Sequence, residues 1–148
     1  MEHPPDWFWN ILESTRPSLM KLESWLVTAP REHVEEFAAA YELAAKTLCD
    51  YWDGPLVDGI QYSEDDTEDL CNWIVSQGRE LWHKVAGGDL DIGHVASVVA
   101  RRDYNLLPVA IKDWSTEVRD PKHRGYQAPE SIAMGVYYSR FGKVWSGD

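Results

Sequence analysis

The sequence of 148 residues is 44% hydrophobic and 26% charged, which is the size and composition of one globular domain with a buried core. Its formal net charge is −11, and residues 1–70 contain sixteen acidic and four basic side chains, a local net charge of −12. This negative field repels nucleic acid and anionic lipid, so we expect neither a nucleic-acid partner nor a membrane partner.

The sequence predicts the cellular compartment of the protein through its first residues, its longest apolar stretch and its two cysteines. The first residues lack the positive segment and apolar run of a signal peptide. The longest apolar stretch, residues 92–100, is too short to span a bilayer, and Cys49 and Cys71 have no metal-ligand spacing. We therefore expect a soluble cytoplasmic protein with two buried, reduced thiols.

Apolar residues at helical spacing predict three helices in the first third of the chain. Asp6 is a candidate N-cap for the first helix, and Pro17 predicts the start of the second. The third has the clearest pattern, because from Val34 its apolar residues recur at steps of three and four over five turns. We expect Thr28-Ala29-Pro30 to cap the start of this helix, since proline is tolerated in a first turn, and we expect the helix to end near Trp52.

A loop and a fourth helix are predicted next. Residues 53–62 contain two glycines and one proline, which break helices, and only residues 60–62 give a weak strand signal. Ser63 is a candidate N-cap for a helix whose apolar spacing continues to Val85. Gly78 would lie inside this helix, at a cost of about 1 kcal/mol relative to alanine.

Three more helices are predicted in the second half of the chain. Their starts are Asp91, Pro108 and Pro129, and they cover residues 92–101, 108–118 and 129–141. The sequence therefore predicts an all-α fold, a compact single-domain helical bundle of about six or seven helices over residues 1–148. We expect the third and fourth helices to pack antiparallel at its centre.

Several short motifs resemble a known family. They are Phe8-Trp9 with Ile11, Ala44-Ala45, Ser63-Glu64-Asp65-Asp66, and Trp-Ile-Val-Ser-Gln-Gly-Arg-Glu at residues 73–80. Over residues 8–85 the chain resembles an uncharacterised bacterial family, the domain-of-unknown-function family numbered 4240. It departs from the family pattern where Glu64 interrupts Ser-Asp-Asp and where Val75 follows Ile74. The resemblance implies an all-helical bacterial protein, and it implies no reaction, ligand or partner.

The most unusual stretch of the sequence is acidic. Five of the seven residues in 63–69 are carboxylates, and they occupy the first turns of the predicted fourth helix. Acidic side chains stabilise a helix N-terminus, and their oxygens also suit a hard cation such as Mg²⁺ or Ca²⁺. Because the spacing is not that of an EF-hand loop, we predict no metal and no cofactor.

No catalytic residue is predicted. The histidines match no metal-binding or catalytic motif; they are His3, His33, His83, His94 and His123. Ser76 and Ser139 lack the sequence context of a nucleophile elbow. The basic segment 122–126 is expected to fold back onto the acidic first half, and the alternative is a contact with another subunit.

Aromatic residues flank the acidic stretch and complete the predicted site. Trp and Tyr are enriched at interface hot spots, and their faces also attract cations. The predicted binding residues are Trp52, Asp53, Asp58, Tyr62, Glu64, Asp65, Asp66, Glu68 and Asp69. The predicted function is a cytosolic protein-binding module, regulatory or an immunity-type inhibitor, that uses this face against a basic partner. The alternative is a small enzyme or small-ligand binder that uses the acidic loop as a cation or cationic-ligand site.

Overall fold

Helices dominate the computed structural model, which describes residues 1–147. Within that range the elements are α1 (Asp6–Thr15), α2 (Leu19–Thr28), α3 (Arg31–Leu48), β1 (Leu56–Val57), β2 (Ile60–Gln61), α4 (Glu64–Ser76), α5 (Arg79–Ala86), α6 (Ile92–Arg101) and α7 (Pro129–Phe141). Short 3-10 helices cover Tyr104–Leu106 and Pro121–His123. The predicted all-α fold is confirmed. No helix in the described range is long and apolar enough to cross a membrane.

The contacts within the chain divide it into two units. The first unit contains residues 1–41 and the chain from residue 112 onward, and the second unit contains residues 42–111. The helix α3 contributes its first part to the first unit and its last part to the second. A single domain over residues 1–148, and an antiparallel pairing of the predicted third and fourth helices, stay predictions.

The first unit has a core rich in aromatic and leucine side chains, in which α2 packs along α7. Its fully buried side chains include Phe8, Trp9, Leu12, Leu22, Phe37, Ile132 and Tyr137. Arg140 of α7 closes the C-terminal end of α2, because its Nη1 donates to the carbonyl oxygens of Leu26 at 2.7 Å and Ala29 at 2.6 Å. These carbonyls need an outside donor, since the last turn of a helix supplies none.

The second unit has an apolar core formed by α4, α5 and α6. Its buried members include Leu70, Ile74, Leu81, Val85, Val95 and Val98. Two predicted N-caps are confirmed here. Ser63 Oγ accepts a hydrogen bond from Asp66 N at 3.1 Å, and the Asp91 carboxylate accepts one from His94 N at 3.1 Å.

The predicted fourth helix is interrupted at Gly78, so the expectation of one helix through to Val85 is wrong. α4 ends at Ser76, and α5 begins at Arg79. Gly78 has a φ of 103°, a conformation that residues with a side chain rarely adopt. Glycine is therefore needed here to break the helix, and it does not lie inside one.

The helix predicted over residues 108–118 is also wrong, because that segment contains no helix. Ser115 of this segment forms backbone and side-chain hydrogen bonds with the start of α2 instead. Ser115 N donates to the Pro17 carbonyl oxygen at 2.8 Å, and Ser115 Oγ accepts from Leu19 N at 3.1 Å. The first N–H groups of a helix have no partner within it, so this tertiary contact outweighs the apolar spacing of the segment.

Three helix ends differ from their predicted positions. α2 begins at Leu19 with Ser18 as its N-cap, and not at Pro17. Asp6 is the first residue of α1, and Pro5 occupies the cap position without a side-chain hydrogen bond. α3 ends at Leu48 and not near Trp52. The reason is a hydrogen-bonded turn over residues 50–53, which takes the chain out of the helix.

Candidate binding site around Trp52

Trp52 is highly exposed for a large aromatic residue, with 81% of its surface accessible. Its backbone is held in a turn. Asp53 N donates to the carbonyl oxygen of Asp50 at 3.1 Å, and Trp52 N donates to Oδ1 of Asp50 at 3.0 Å. Aspartate favours such turns because its side chain can accept a hydrogen bond from the backbone two residues further on. A fixed turn therefore presents the indole to solvent.

A two-stranded ribbon follows the turn, within the predicted loop at 53–62, and its second strand lies in the region that gave the weak strand signal. β1 and β2 pair antiparallel, with Val57 opposite Ile60. Between them Asp58 and Gly59 have φ values of 53° and 80°. An Asp-Gly pair with two positive φ values is typical of a type I′ hairpin turn. The dipeptide was the sequence signal for this hairpin.

One face of the ribbon is connected to the Trp52 turn. Leu56 lies opposite Gln61, so both side chains point to the same face. Gln61 Nε2 donates to Oδ1 of Asp53 at 3.2 Å, which links this face to the turn. Leu56 is 67% exposed. It therefore adds an exposed apolar side chain to the face that is tied to the Trp52 turn.

Gly54 allows this region to pack closely on the start of α4. A Cβ atom at Gly54 would overlap Oγ1 of Thr67 and would lie 2.8 Å from the carbonyl oxygen of Tyr62. Thr67 is buried, and its hydroxyl donates to the carbonyl oxygen of Ser63 at 2.7 Å. A larger residue would displace these atoms, so glycine fixes the distance between the Trp52 turn and α4.

An open groove of about 380 Å³ lies beside Trp52. It is lined by Lys46, Cys49, Asp50, Tyr51, Trp52 and Glu64. The groove combines an indole with two carboxylates, an arrangement that attracts a cationic group. The Lys46 ammonium forms a salt bridge with Glu42, one turn earlier in α3. Asp50, which the sequence did not single out, therefore belongs to the site together with Glu64.

The acidic run at the start of α4 is exposed and unpaired. In residues 1–147 no Lys or Arg forms a salt bridge with the carboxylates of Glu64, Asp65, Asp66, Glu68 or Asp69. Partial burial raises the pKa of Asp69, and the charges of Asp66 and Asp65 raise it further. These carboxylates therefore repel one another, and the run presents concentrated negative charge to solvent.

Seven of the nine predicted binding residues do not line the groove, and they are Asp53, Asp58, Tyr62, Asp65, Asp66, Glu68 and Asp69. Asp58, in the hairpin turn, forms a salt bridge with Arg101, with Oδ1 and Nη2 3.3 Å apart. Tyr62 is half-buried and packs against the apolar core of the second unit. Of the predicted set, the groove therefore brings together Trp52 and Glu64 alone.

Two thiols lie near the groove, and neither is activated. Burial raises the pKa of Cys71 to about 12, with smaller contributions from Cys49 and Glu68. Burial and the neighbouring carboxylates of Asp50 and Asp53 raise the pKa of Cys49 as well. Both cysteines are free in the structure, although only Cys71 is buried as expected. A thiol with a raised pKa is a poor nucleophile at neutral pH, because the thiolate is the reactive form.

Within the described residues, no group of three His, Cys, Asp or Glu side chains is arranged to hold a metal ion. Comparisons with known proteins found no matching family model, no matching curated protein and no matching solved structure. The resemblance to the family numbered 4240 therefore stays a prediction. Any functional proposal for this chain rests on the geometry of its own residues.

Proposed function

We propose that this chain is a cytoplasmic protein-binding module that docks its Trp52 surface against a protein with a basic surface. The Trp52 surface consists of Asp50, Trp52, Asp53, Leu56 and Glu64, continued by the carboxylates of residues 65–69. The observation that supports this most strongly is the exposure of Trp52, which a fixed turn holds beside the carboxylates of Asp50 and Glu64. A regulatory protein or immunity-type inhibitor would act in this way, by covering a basic surface of its target.

The aromatic part of the Trp52 surface supplies the affinity. Tryptophan is enriched among interface hot spots, where truncation to alanine costs about 2 kcal/mol or more. The backbone of Trp52 is already held by its turn, so little further ordering is required on binding. Leu56 adds apolar area on the ribbon face that Gln61 links to this turn.

The charge of the second unit indicates the chemistry of the partner. The unit contains thirteen acidic and five basic side chains, a net charge of −8. Such a field accelerates encounter with a basic surface and disfavours acidic partners. An arginine or lysine of the partner in the groove would contact the Trp52 ring and the carboxylates of Asp50 and Glu64.

The first experiment tests the aromatic anchor. Proteins retained from the source lysate by wild-type chain are identified, and their dissociation is measured from wild type, Trp52→Ala and Tyr138→Ala. Tyr138 is a suitable control because it is also an exposed aromatic, at 53%. We expect Trp52→Ala to dissociate at least about 30-fold faster, the equivalent of about 2 kcal/mol, and Tyr138→Ala to behave as wild type.

The second experiment tests the acidic run. A variant that combines Asp65→Asn, Asp66→Asn, Glu68→Gln and Asp69→Asn should associate more slowly than wild type, with a weaker dependence on salt. Its dissociation should change much less than that of Trp52→Ala. If this variant retains the same proteins in the same amounts as wild type, the acidic run is only a solvated surface and the proposal fails.

The groove also favours a second candidate function, the binding of a small organic cation. An indole and two carboxylates line the same cavity, and they would hold an ammonium or guanidinium group without a partner protein. Titration with arginine methyl ester, followed by tryptophan fluorescence, tests this candidate. Saturable binding that is lost in Glu64→Gln supports it, and the absence of saturation eliminates it.

A further inference from the structure

The first unit contains a hydrogen-bonded array of a glutamate, a histidine and a serine that takes no part in the Trp52 surface. His123 Nδ1 lies 2.6 Å from Oε2 of Glu23, and His123 Nε2 lies 3.1 Å from Oγ of Ser139. The glutamate comes from α2, the histidine from the 3-10 helix at 121–123, and the serine from α7. Glu23 and His123 are each 2% exposed, whereas Ser139 is exposed to solvent.

Glu23 is held as a carboxylate. Its Oε1 accepts from Arg119 N at 2.6 Å, and its Oε2 accepts from Asp120 N at 3.1 Å as well as from the imidazole. Burial raises the pKa of Glu23, but the hydrogen bonds from His123 and the two backbone N–H groups outweigh burial and lower it. The buried carboxylate is therefore compensated by three donors.

The ionised Glu23 determines the tautomer of the histidine. A carboxylate only accepts hydrogen bonds, so the proton between the two side chains lies on Nδ1 of His123. In the neutral imidazole Nε2 then carries a lone pair and accepts the hydroxyl proton of Ser139. The contact with Glu23 alone would tie the 3-10 helix to α2. The contact on Nε2 has a second consequence, because it places the basic nitrogen of His123 within hydrogen-bond distance of the exposed hydroxyl of Ser139.

We propose that Ser139 is a nucleophile with His123 as its general base and Glu23 as the residue that positions the imidazole, and that the first unit uses them to react with activated esters. Arrays of a serine, a histidine and an acid are recognised by their geometry and not by their order in the sequence. Here the order is glutamate, histidine, serine, over 117 positions from 23 to 139.

The reaction balances without a cofactor. The Oγ of Ser139 forms a bond to the ester carbonyl carbon while its proton moves to Nε2 of His123. The bond from this carbon to the leaving oxygen then breaks, the leaving oxygen takes the proton from Nε2, and Ser139 carries the acyl group. Water attacks the acyl-serine and gives its proton to Nε2. That proton returns to Oγ as the carboxylic acid leaves.

The position of Ser139 in α7 limits the substrate class. Its backbone N–H lies inside the helix, where N–H groups bond to carbonyl oxygens one turn earlier, so it does not point at a substrate. Amide and alkyl ester cleavage depend strongly on such donors to stabilise the developing oxyanion. Esters with a good leaving group, such as aryl esters, depend on them least. The substrate class is therefore activated esters that approach the exposed Ser139 from solvent.

Covalent labelling tests this proposal directly. The intact protein is incubated with a fluorophosphonate, and the modified residue is located by mass spectrometry, alongside the release of nitrophenolate from p-nitrophenyl acetate. Ser14→Ala is the matched control, because Ser14 is an exposed helical serine of the same unit whose hydroxyl donates to the Ile11 carbonyl oxygen at 3.1 Å. We expect wild type and Ser14→Ala to be labelled at Ser139, and Ser139→Ala to lose both labelling and nitrophenolate release.

The role of the histidine is separated from folding by a second variant and by pH. His123→Gln should label about 10²- to 10⁴-fold more slowly, and the rise of the labelling rate with pH that His123 produces should disappear. Circular dichroism establishes that this variant is folded. If this variant does not fold, the test is the comparison of two serines within wild-type protein. Labelling of Ser139 no faster than that of Ser14 would overturn the proposal, and the array would then only connect the 3-10 helix to α2 and α7. Trp52→Ala should label as wild type does, so this outcome is independent of the binding function.

Discussion

The two units use their charged side chains in opposite ways. In the first unit twelve acidic residues are balanced by nine basic ones, and the carboxylate of Glu23 is buried and bonded to three donors. The second unit contains thirteen acidic residues and five basic ones. Its acidic run at 64–69 is exposed and forms no salt bridge within the described range. Charge that stabilises the fold is buried and paired, whereas exposed, unpaired charge is free to meet a partner.

The largest expected effect is on the buried charge of the first unit. Glu23→Ala removes a carboxylate that is 2% exposed and leaves His123 and the N–H groups of Arg119 and Asp120 without their acceptor. A buried donor that loses its hydrogen-bond acceptor costs about 1–3 kcal/mol, and here three donors lose theirs. Urea unfolding should show this loss, and Glu13→Ala, at an exposed position in α1, should show almost none. Equal losses would mean that the pair contributes nothing specific to the fold.

The next effect concerns the packing that positions the Trp52 turn. Gly54→Ala places a methyl group against Thr67 and the Tyr62 carbonyl oxygen, which we expect to cost about 1–3 kcal/mol. Gly125→Ala is the control, because a Cβ at Gly125 meets nothing within 4 Å. Thermal unfolding of both variants measures the difference. A neutral Gly54→Ala would show that the turn and α4 can move apart, and partner binding should then be unaffected as well.

Local signals predicted much of this fold because they act over a few residues. Ser63 and Asp91 cap their helices as expected, since an N-cap needs only an oxygen and an N–H group three residues later. The break at Gly78 and the extended segment around Ser115 were missed. The break depends on the positive φ of Gly78, and the extended segment depends on the hydrogen bond from Ser115 to Pro17, almost one hundred residues away. Neither feature changes the spacing of apolar residues from which the helices were predicted.

The candidate sites were predictable only in part. The exposure of Trp52 depends on a turn made by Asp50, a residue whose role becomes visible only once α3 ends at Leu48. Tyr62 is an aromatic residue beside the acidic stretch, as Trp52 is, but it packs against the apolar core of the second unit, and composition does not distinguish the two. No pattern in the sequence joins His123 to Glu23, since one hundred positions separate them.

A smaller effect compares helix starts in the two units. Ser63 caps α4 and Ser18 caps α2, each by accepting from the N–H group three residues later, at 3.1 and 3.2 Å. Each change to alanine should cost about 0.5–2 kcal/mol, measured by urea unfolding. α4 has three acidic residues in its first turn and α2 has none. The N-terminus of α4 is therefore stabilised by acidic side chains as well as by its cap, whereas that of α2 has no such acidic side chains. A loss at Ser18 without any loss at Ser63 would show that those charges make the cap redundant.

The smallest expected effect separates the two units by the sign of their pH dependence. The pKa of Asp69 is raised in the folded protein, so the folded state binds more protons than the unfolded state above the ordinary value of 3.8, and stability falls as pH rises through this range. Asp69→Asn should therefore be more stable than wild type at pH 7, and the gain should vanish as pH approaches 3.8. Melting temperatures at pH 4 and pH 7 measure it.

Glu23 should give the opposite result in the same experiment. Its pKa is lowered from the ordinary value of 4.5, so its contribution to stability is fully present above that value and is lost as pH falls through the folded pKa. Glu23→Gln should therefore be less stable than wild type at pH 7, and the deficit should shrink towards acidic pH. Because Asp69 is exposed, its effect is the smaller of the two. If both variants shift stability in the same direction at pH 7, the contrast between a paired, buried carboxylate and an unpaired, exposed one does not hold for this protein.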